Sequence, residues 1–420
     1  MAEHSALVLG RPRFLARANA RARRAQLGAQ AGPYPIQEIL RTVWHGHGTG
    51  TGGAGPGTEA GYAARVRHLP AFASAPLPEQ PPRVSRAQAW GLLPDELSAL
   101  GVAAADATFE RLQRPWLWQD GVPVVSKAAR AVLESCGLEL PRVAECKSSV
   151  DGSSKLLLQF GADRIEAVHM PRAIGTGRVS LCISSQVGCA MGCGFCATAS
   201  MGFHRHLSAG EIVGQVLRVV AELGPRHPSE LTLVFMGMGE PLHNLSEVAR
   251  AIRVLCHPRG LGLSSNRITV STSGLVPEID ELGRLSPRPL LALSLNATTD
   301  EVRGELMPIG RRYPLSLLRA ALERFPRRPR ERITIEYVLL AGVNDSNDDA
   351  VRLSDFCATF AHNINLIPFN EHALASFRAP AEADVERFAR ALLARKRTLV
   401  TVRRSRGRDV QAACGQLVQS

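Results

Sequence analysis

From about residue 178 onward, seven β-rich runs alternate with helical patterns, and that alternation most narrows what the chain can fold into. The runs are "RVSLCISS", "LTLVFMGM", "RITVSTSG", "LLALSLNA", "RITIEYVLL", "NINLIPFN" and "TLVTVRR". Between them stand "SAGEIVGQVLRVVAEL", "LSEVARAIRVLC", "PLSLLRAALERF" and "AEADVERFARALLARK", with apolar residues at helical spacing. Ser208, followed three residues later by Glu211, marks a capped helix start. Repeated strand–helix units with apolar strands form a parallel sheet covered by helices. Six or seven units fall short of the eight in a closed barrel, so the expected fold is α/β, a partial (βα)6-type barrel. Chemistry in such folds sits at the carboxyl ends of the strands, where "GMGEP", "STSG", "SLNA" and "IPFN" gather polar residues.

The upstream sequence is of another kind. Residues 1–85 combine a basic run (11–24), a Gly-rich tract (45–61) and a Pro-rich one (75–82), a composition that cannot bury enough apolar surface to order itself. They read as a disordered extension. Residues 86–165 read as a small accessory module, helical at first and β-rich in "KLLLQF" and "RIEAVHMP". Residues 175–408 form the core, and 409–420 a tail. No run of 18 or more uncharged apolar residues occurs, so no membrane span is expected. The net charge of +12 permits a polyanionic partner. It does not demand one, because 46 of the 50 cations are arginine, as a GC-rich coding bias would also give.

Four of the nine cysteines fall within residues 182–196, "CISSQVGCAMGCGFC". Cys189, Cys193 and Cys196 are spaced C-x3-C-x2-C in the loop after the first core strand. Three thiolates so placed can hold three irons of a [4Fe–4S] cluster and leave the fourth iron open to another ligand. Zinc would want a fourth protein ligand, and the local spacing offers no second C-x2-C pair. Cys182, inside a strand and seven residues earlier, is the neighbouring alternative. With no secretory signal, these thiols belong in a reducing, cytoplasmic setting.

A C-x3-C-x2-C loop after the first strand of an incomplete barrel resembles the radical S-adenosylmethionine (SAM) superfamily, and "GMGEP" resembles its SAM-contacting loop. The fold expected is therefore a radical SAM barrel with a small N-terminal helical module and a disordered extension. "LCISSQVGCAMGCGFCATA", "MGMGEPLHN", "TVSTSG", "LSLNA", "TIEYVLLAGVND", "NLIPFN" and "AACGQL" occur in order. Together they are similar to the 23S ribosomal RNA adenine-C2 methyltransferases and to relatives that methylate C8 of the same adenine and confer antibiotic resistance. The likeness covers about 150–420, is weaker over 86–150 and is absent before.

The resemblance implies a chemistry suited to an electron-poor ring carbon that cannot attack a methyl group itself. A tail cysteine, here Cys414, takes a methyl from one SAM. A second SAM on the cluster gives a radical that activates that methyl for addition to adenine, C2 ahead of C8. Glu166 accepts the ring proton, and Cys182 releases the product by forming a transient disulfide with Cys414. By the same resemblance SAM is held by Gly239, Glu240, Ser271, Ser294, Leu295, Asn296 and Asn370, and the cluster by Cys189, Cys193 and Cys196. Asn296 stands where the family usually has His, "RHL" (205–207) where Arg-Asn-Leu is common, and "ATAS" lacks a usual glycine.

The implied partners are RNA (ribosomal, with transfer RNA as a second substrate) and an electron donor such as flavodoxin or ferredoxin. The protein is expected to be a monomer. "RRSRGRD" (403–409) is expected to hold phosphates next to Cys414. Two other classes stay open: a radical SAM enzyme acting on peptides or activating another enzyme, which needs no Cys182–Cys414 pair, and a non-catalytic RNA-binding module with structural zinc.

Overall fold

The computed structural model describes residues 88–171, 178–224, 228–395, 398–404 and 406–418. The extension expected over 1–85 lies outside them, as does "RAIGTG" (172–177).

Three short helices come first: α1 (Pro94–Ala99), α2 (Ala105–Gln113) and α3 (Lys127–Ser135). They gather around Trp90, Leu97, Phe109, Leu112 and Leu133, all buried. Gln113 Nε2 donates to the Trp90 carbonyl at 2.9 Å, which satisfies a polar group that this packing would otherwise strand.

The chain then enters one ten-stranded sheet. β1 (Arg142–Ser148), β2 (Ser154–Phe160), β3 (Asp163–Pro171) and β4 (Val179–Cys182) run antiparallel to one another in sequence order. A separate hairpin follows, β5 (Gln186–Gly188) with β6 (Phe203–His206), and α4 (Ala197–Ser200) lies inside its loop. Parallel units continue the sheet: α5 (Ala209–Leu223), β7 (Leu231–Phe235), α6 (Leu245–Cys256), β8 (Ile268–Thr272), α7 (Val276–Arg284) and β9 (Leu290–Ser294). Next come α8 (Asp300–Leu306), α9 (Ile309–Arg312), α10 (Leu315–Arg324), β10 (Ile333–Leu339), α11 (Asn347–Phe356), β11 (His362–Pro368), α12 (Glu382–Ala394) and β12 (Leu399–Val402). The strand order is β1-β2-β3-β4-β7-β8-β9-β10-β11-β12, with every pair from β4–β7 onward parallel. All seven runs of the alternating region are strands, and the Ser208–Glu211 capping box opens α5.

The strands are not apolar on both faces. In β10, Ile333, Ile335, Tyr337 and Leu339 are buried on one side. Thr334, Glu336 and Val338 point the other way and line cavities in the barrel interior. β8 does the same with Thr269 and Ser271, and β7 with Thr232 and Val234. The helical layer takes the large side chains, and the interior keeps room for ligands.

β1 and β12 end the sheet at opposite edges and do not pair. The tail after β12 crosses to the other side instead. Asp409 accepts from Ser149 Oγ at 2.6 Å and from the Val150 amide at 3.2 Å, and Asp151 accepts from the Gly407 amide at 3.0 Å. Residues 406–418 therefore form a strap fastened to the β1–β2 turn. Among the described residues no helix is long and apolar enough to cross a membrane.

Candidate active site

The loop from 189 to 196 is held at both ends. The Cys189 amide donates to the Gly202 carbonyl at 2.8 Å, Cys196 sits at the N-terminus of α4, and the Gly194 amide reaches the Leu306 carbonyl at 3.0 Å. Gly188, with φ of 74°, brings the hairpin so close that a Cβ there would run into the Gly202 carbonyl oxygen. The result is that Cys189, Cys193 and Cys196 line one cavity at the carboxyl ends of the parallel strands.

Burial raises all three thiols above their ordinary pKa. For Cys193 the other two thiols and Glu240 push further in the same direction, and Arg303 opposes. Three thiols crowded this way repel as thiolates unless a metal centre takes them up. Three thiols on one short loop, lining one cavity, are a donor set of the kind that holds separate irons of a cluster.

The same cavity is lined by Gly239, Glu240, Ser271, Ser294, Asn296, Asn370 and Cys414, so most of the expected SAM contacts meet the three cysteines. Gly239 has φ of 97°, and a Cβ on it would press into the Gln186 side chain. Glu240 accepts from the Leu242 amide at 3.1 Å and the Ser273 amide at 2.8 Å, while its own amide donates to Gln186 Oε1 at 2.8 Å. Its carboxylate thus braces the loop across to the end of β8, and what it offers the cavity is a fixed backbone. Ser271 and Ser294 face each other with hydroxyls 3.4 Å apart.

Leu295 departs from expectation. Its side chain is fully buried in the core and does not line the cavity, and its amide donates to the Glu336 carbonyl at 3.0 Å. The reason is strand alternation: a residue between two cavity-facing neighbours turns outward. Asn296, in place of the usual His, has φ of 57°, a left-handed conformation that Asn tolerates well. Its Oδ1 accepts from the Val338 amide at 2.9 Å, and its carbonyl accepts from Asn344 Nδ2 at 2.7 Å. Asn344, fully buried, also bonds the Val338 carbonyl and the Leu340 amide, and so clamps the ends of β9 and β10 together.

The tail brings Cys414 to this cavity. Asn370 Nδ2 donates to the Cys414 carbonyl at 3.4 Å, the Ala197 amide to the Gly415 carbonyl at 2.7 Å, and Thr198 Oγ1 to the Leu417 carbonyl at 2.6 Å. Cys414 also lines a second cavity on the far side, with Thr232, Thr269, Thr334 and Asn365. Cys182 is buried at the end of β4 and lines neither cavity. Its thiol is pushed up to about 12 by burial, with Cys414 adding to the rise, while Arg403 and a hydrogen bond from the Met236 amide oppose it. The two cysteines are thus electrostatic neighbours. They are joined by the strap, and the first and last strands of the sheet do not pair.

Glu166 is not on a solvent face. It is 1% exposed, and its Oε1 lies 3.0 Å from Nζ of Lys155, itself 4% exposed. Burial lifts its carboxyl above the ordinary carboxylate range, and Lys155 opposes most strongly, aided by the Val418 amide. Glu166 therefore touches the strap four residues beyond Cys414, but it does not line the cavity.

Two groups have roles the sequence did not suggest. Arg403 heads "RRSRGRD", expected to hold phosphates, yet it faces inward. Its guanidinium is held charged first by Cys414, then by Glu336 and Cys182, against burial, and Nη1 lies 3.5 Å from Met236 Sδ. Arg404 pairs with Glu382, and Arg406 bonds the Pro171 carbonyl. The stretch is not a row of free phosphate binders. Glu336 is buried with one oxygen bonded to Asn365 and the other, among the described residues, without a partner, and it lines both cavities. The alternation of "TIEYVLL" puts Glu336 on the Thr334 side, and that was the available signal.

The sequence profile of the radical SAM superfamily matches residues 183–354. An enzyme of Geobacter sulfurreducens named dual-specificity RNA methyltransferase RlmN is 46% identical over 310 residues, covering 72% of this chain and 83% of its own. The chain belongs to the RlmN family. A second RlmN, from Anaeromyxobacter, is 46% identical over 355 residues, 81% of this chain and 93% of its own. The crystal structure of a radical SAM methyltransferase from Sphaerobacter thermophilus superposes with a TM-score of 0.72 at 39% identity, over 80% of this chain and 99% of that one. RlmN membership makes this a radical SAM enzyme of the RNA methyltransferase class.

Proposed function

We propose that this chain methylates a ring carbon of adenine in RNA, C2 in preference to C8, in ribosomal RNA with transfer RNA as a second substrate. The observation that carries the reading is the meeting of two cysteine sets. A three-thiol loop and a tail thiol line one cavity, and a further buried thiol lies next to the tail. A radical SAM enzyme that acts on peptides needs the loop but not the pair.

Cys189, Cys193 and Cys196 would hold a [4Fe–4S] cluster, and Gly239, Glu240, Ser271, Ser294, Asn296 and Asn370 would hold SAM. The backbone of Leu295 would join them. When bound, the cluster supplies the electron that splits SAM, drawn from a flavodoxin- or ferredoxin-type donor. The remaining work belongs to side chains. Cys414 carries the methyl group on sulfur, Arg403 steadies the negative charge of its thiolate, and Glu166 takes the proton from the adenine ring. Cys182 attacks the Cys414 sulfur, the bond from that sulfur to the product carbon breaks with its electron pair going to carbon, that carbon takes up a proton to become the methyl group, and a disulfide remains. A cytoplasmic thiol reductant returns it to two thiols. The dry surroundings of Cys182 favour its protonated thiol.

The test is mass spectrometry of RNA methylated by anaerobically reconstituted protein, with Cys414→Ala and Cys182→Ala as variants. Both are expected to bind iron as the parent does. Cys414→Ala yields no methyladenosine, and Cys182→Ala stalls as a protein–RNA adduct. Full turnover by Cys414→Ala ends this reading.

A further inference from the structure

A buried cation stands behind the cysteine loop, and none of the steps above uses it. Arg303 lies in the middle of α8 and is fully buried. Its Nη2 donates to the Ser273 carbonyl at 2.5 Å and its Nη1 to the Tyr313 carbonyl at 3.4 Å, while Nε is buried without a partner. Among the described residues these two neutral carbonyls are its hydrogen-bond partners, and it forms no ion pair. A lone guanidinium taken out of water is costly unless a countercharge compensates. Burial lowers its pKa to about 10, so it stays charged at neutral pH.

The segment that carries Arg303 is fitted to the cysteine loop. The Leu306 carbonyl accepts from Gly194, and the Pro308 ring would lie 3.5 Å from a Cβ on Gly192. Met307 and Ser273 line the cavity, and Ser273 is the residue whose carbonyl Arg303 holds. The acidic groups that act on Arg303 are Cys193 first and then Asp300, and Arg303 in turn acts on Cys193.

We propose that Arg303 is the fixed countercharge of the cluster site, a positioning residue that favours the reduced cluster and so sets its reduction potential. The inference rests on the reading of Cys189, Cys193 and Cys196 as cluster ligands. Reduction adds one electron, from a chemical or protein donor, to a centre already ringed by three thiolates. No bond forms and no proton moves. A buried positive charge beside the loop stabilises the more negative state, because the protein interior screens it less than bulk water would.

The experiment is a potentiometric titration of the reconstituted protein without SAM, with the reduced cluster read by electron paramagnetic resonance. It compares the parent with Arg303→Lys and Arg303→Gln. At the potential that half-reduces the parent, Arg303→Gln should show a reduced-to-oxidised ratio about tenfold lower, equivalent to ~59 mV for one electron. Arg303→Lys, which keeps the charge, should stay near the parent ratio. A parent-like ratio in Arg303→Gln at full iron content overturns the proposal, as do equal shifts in both variants. If Arg303→Gln takes up no iron, melting of the metal-free protein decides. Parent-like stability supports a countercharge needed to gather the thiolates, and a destabilised fold overturns it. A parent that binds no iron sinks the cluster reading itself, a separate outcome.

Discussion

Glu166 is held between two opposed influences: burial favours its neutral form and Lys155 favours the carboxylate. A base must be ionised to take a proton, so methylation should fall as pH drops through the raised pKa of Glu166. Lys155→Met removes the opposing charge and should move that acid limb to higher pH, while Lys155→Arg should leave it near its place. Leaving the carboxylate uncompensated should also cost about 3–5 kcal/mol of stability, read by denaturant unfolding. The pair was invisible in the sequence because Lys155 and Glu166 lie on different strands, and only the β2–β3 register, which sets Glu166 opposite Leu157, brings them diagonally together on one face. Asn296 was visible as a departure from the family pattern. Its reason, a left-handed backbone and a bond to Val338, was not.

At the scale of elements, the seven core strands were legible because each is an apolar run bounded by turn residues. The β5–β6 hairpin was not, since "QVG" and "FHRH" show no alternation of apolar and polar residues. That hairpin sets the depth of the cysteine loop through Gly188 and Gly202. The loop after β7 is equally exacting. Gly239→Ala forces a left-handed alanine against Gln186 and should abolish SAM binding in equilibrium dialysis while the fold persists, since such strain costs about 1–3 kcal/mol locally. The strap offers a third test. Asp409→Ala removes two hydrogen bonds to the β1–β2 turn. Amide exchange across 407–418 should quicken while that of β7–β11 stays unchanged.

For the whole molecule, the barrel is a sheet whose two edges are unpaired among the described residues, with a strap fastened across from one to the other. The three thiols meet only in the native loop, so loading them with iron and sulfide should favour the folded state. Ligand binding to the native state at about a hundredfold excess over its Kd adds ~2.7 kcal/mol, so reconstitution should raise the melting temperature by several degrees and chelation should reverse the gain. The net charge of +12 was a poor guide to the site. The arginines that matter near Cys414 are spent on Met236, Glu382 and the Pro171 carbonyl, inside or along the fold.

The clasp between α4 and the tail ties two fates together. Ala197 and Thr198, directly after Cys196, hold the carbonyls of Gly415 and Leu417. Under the proposed function, damage by oxygen that slackens the cysteine loop would also release the terminal segment, and harm to the engine would disarm the tool it drives.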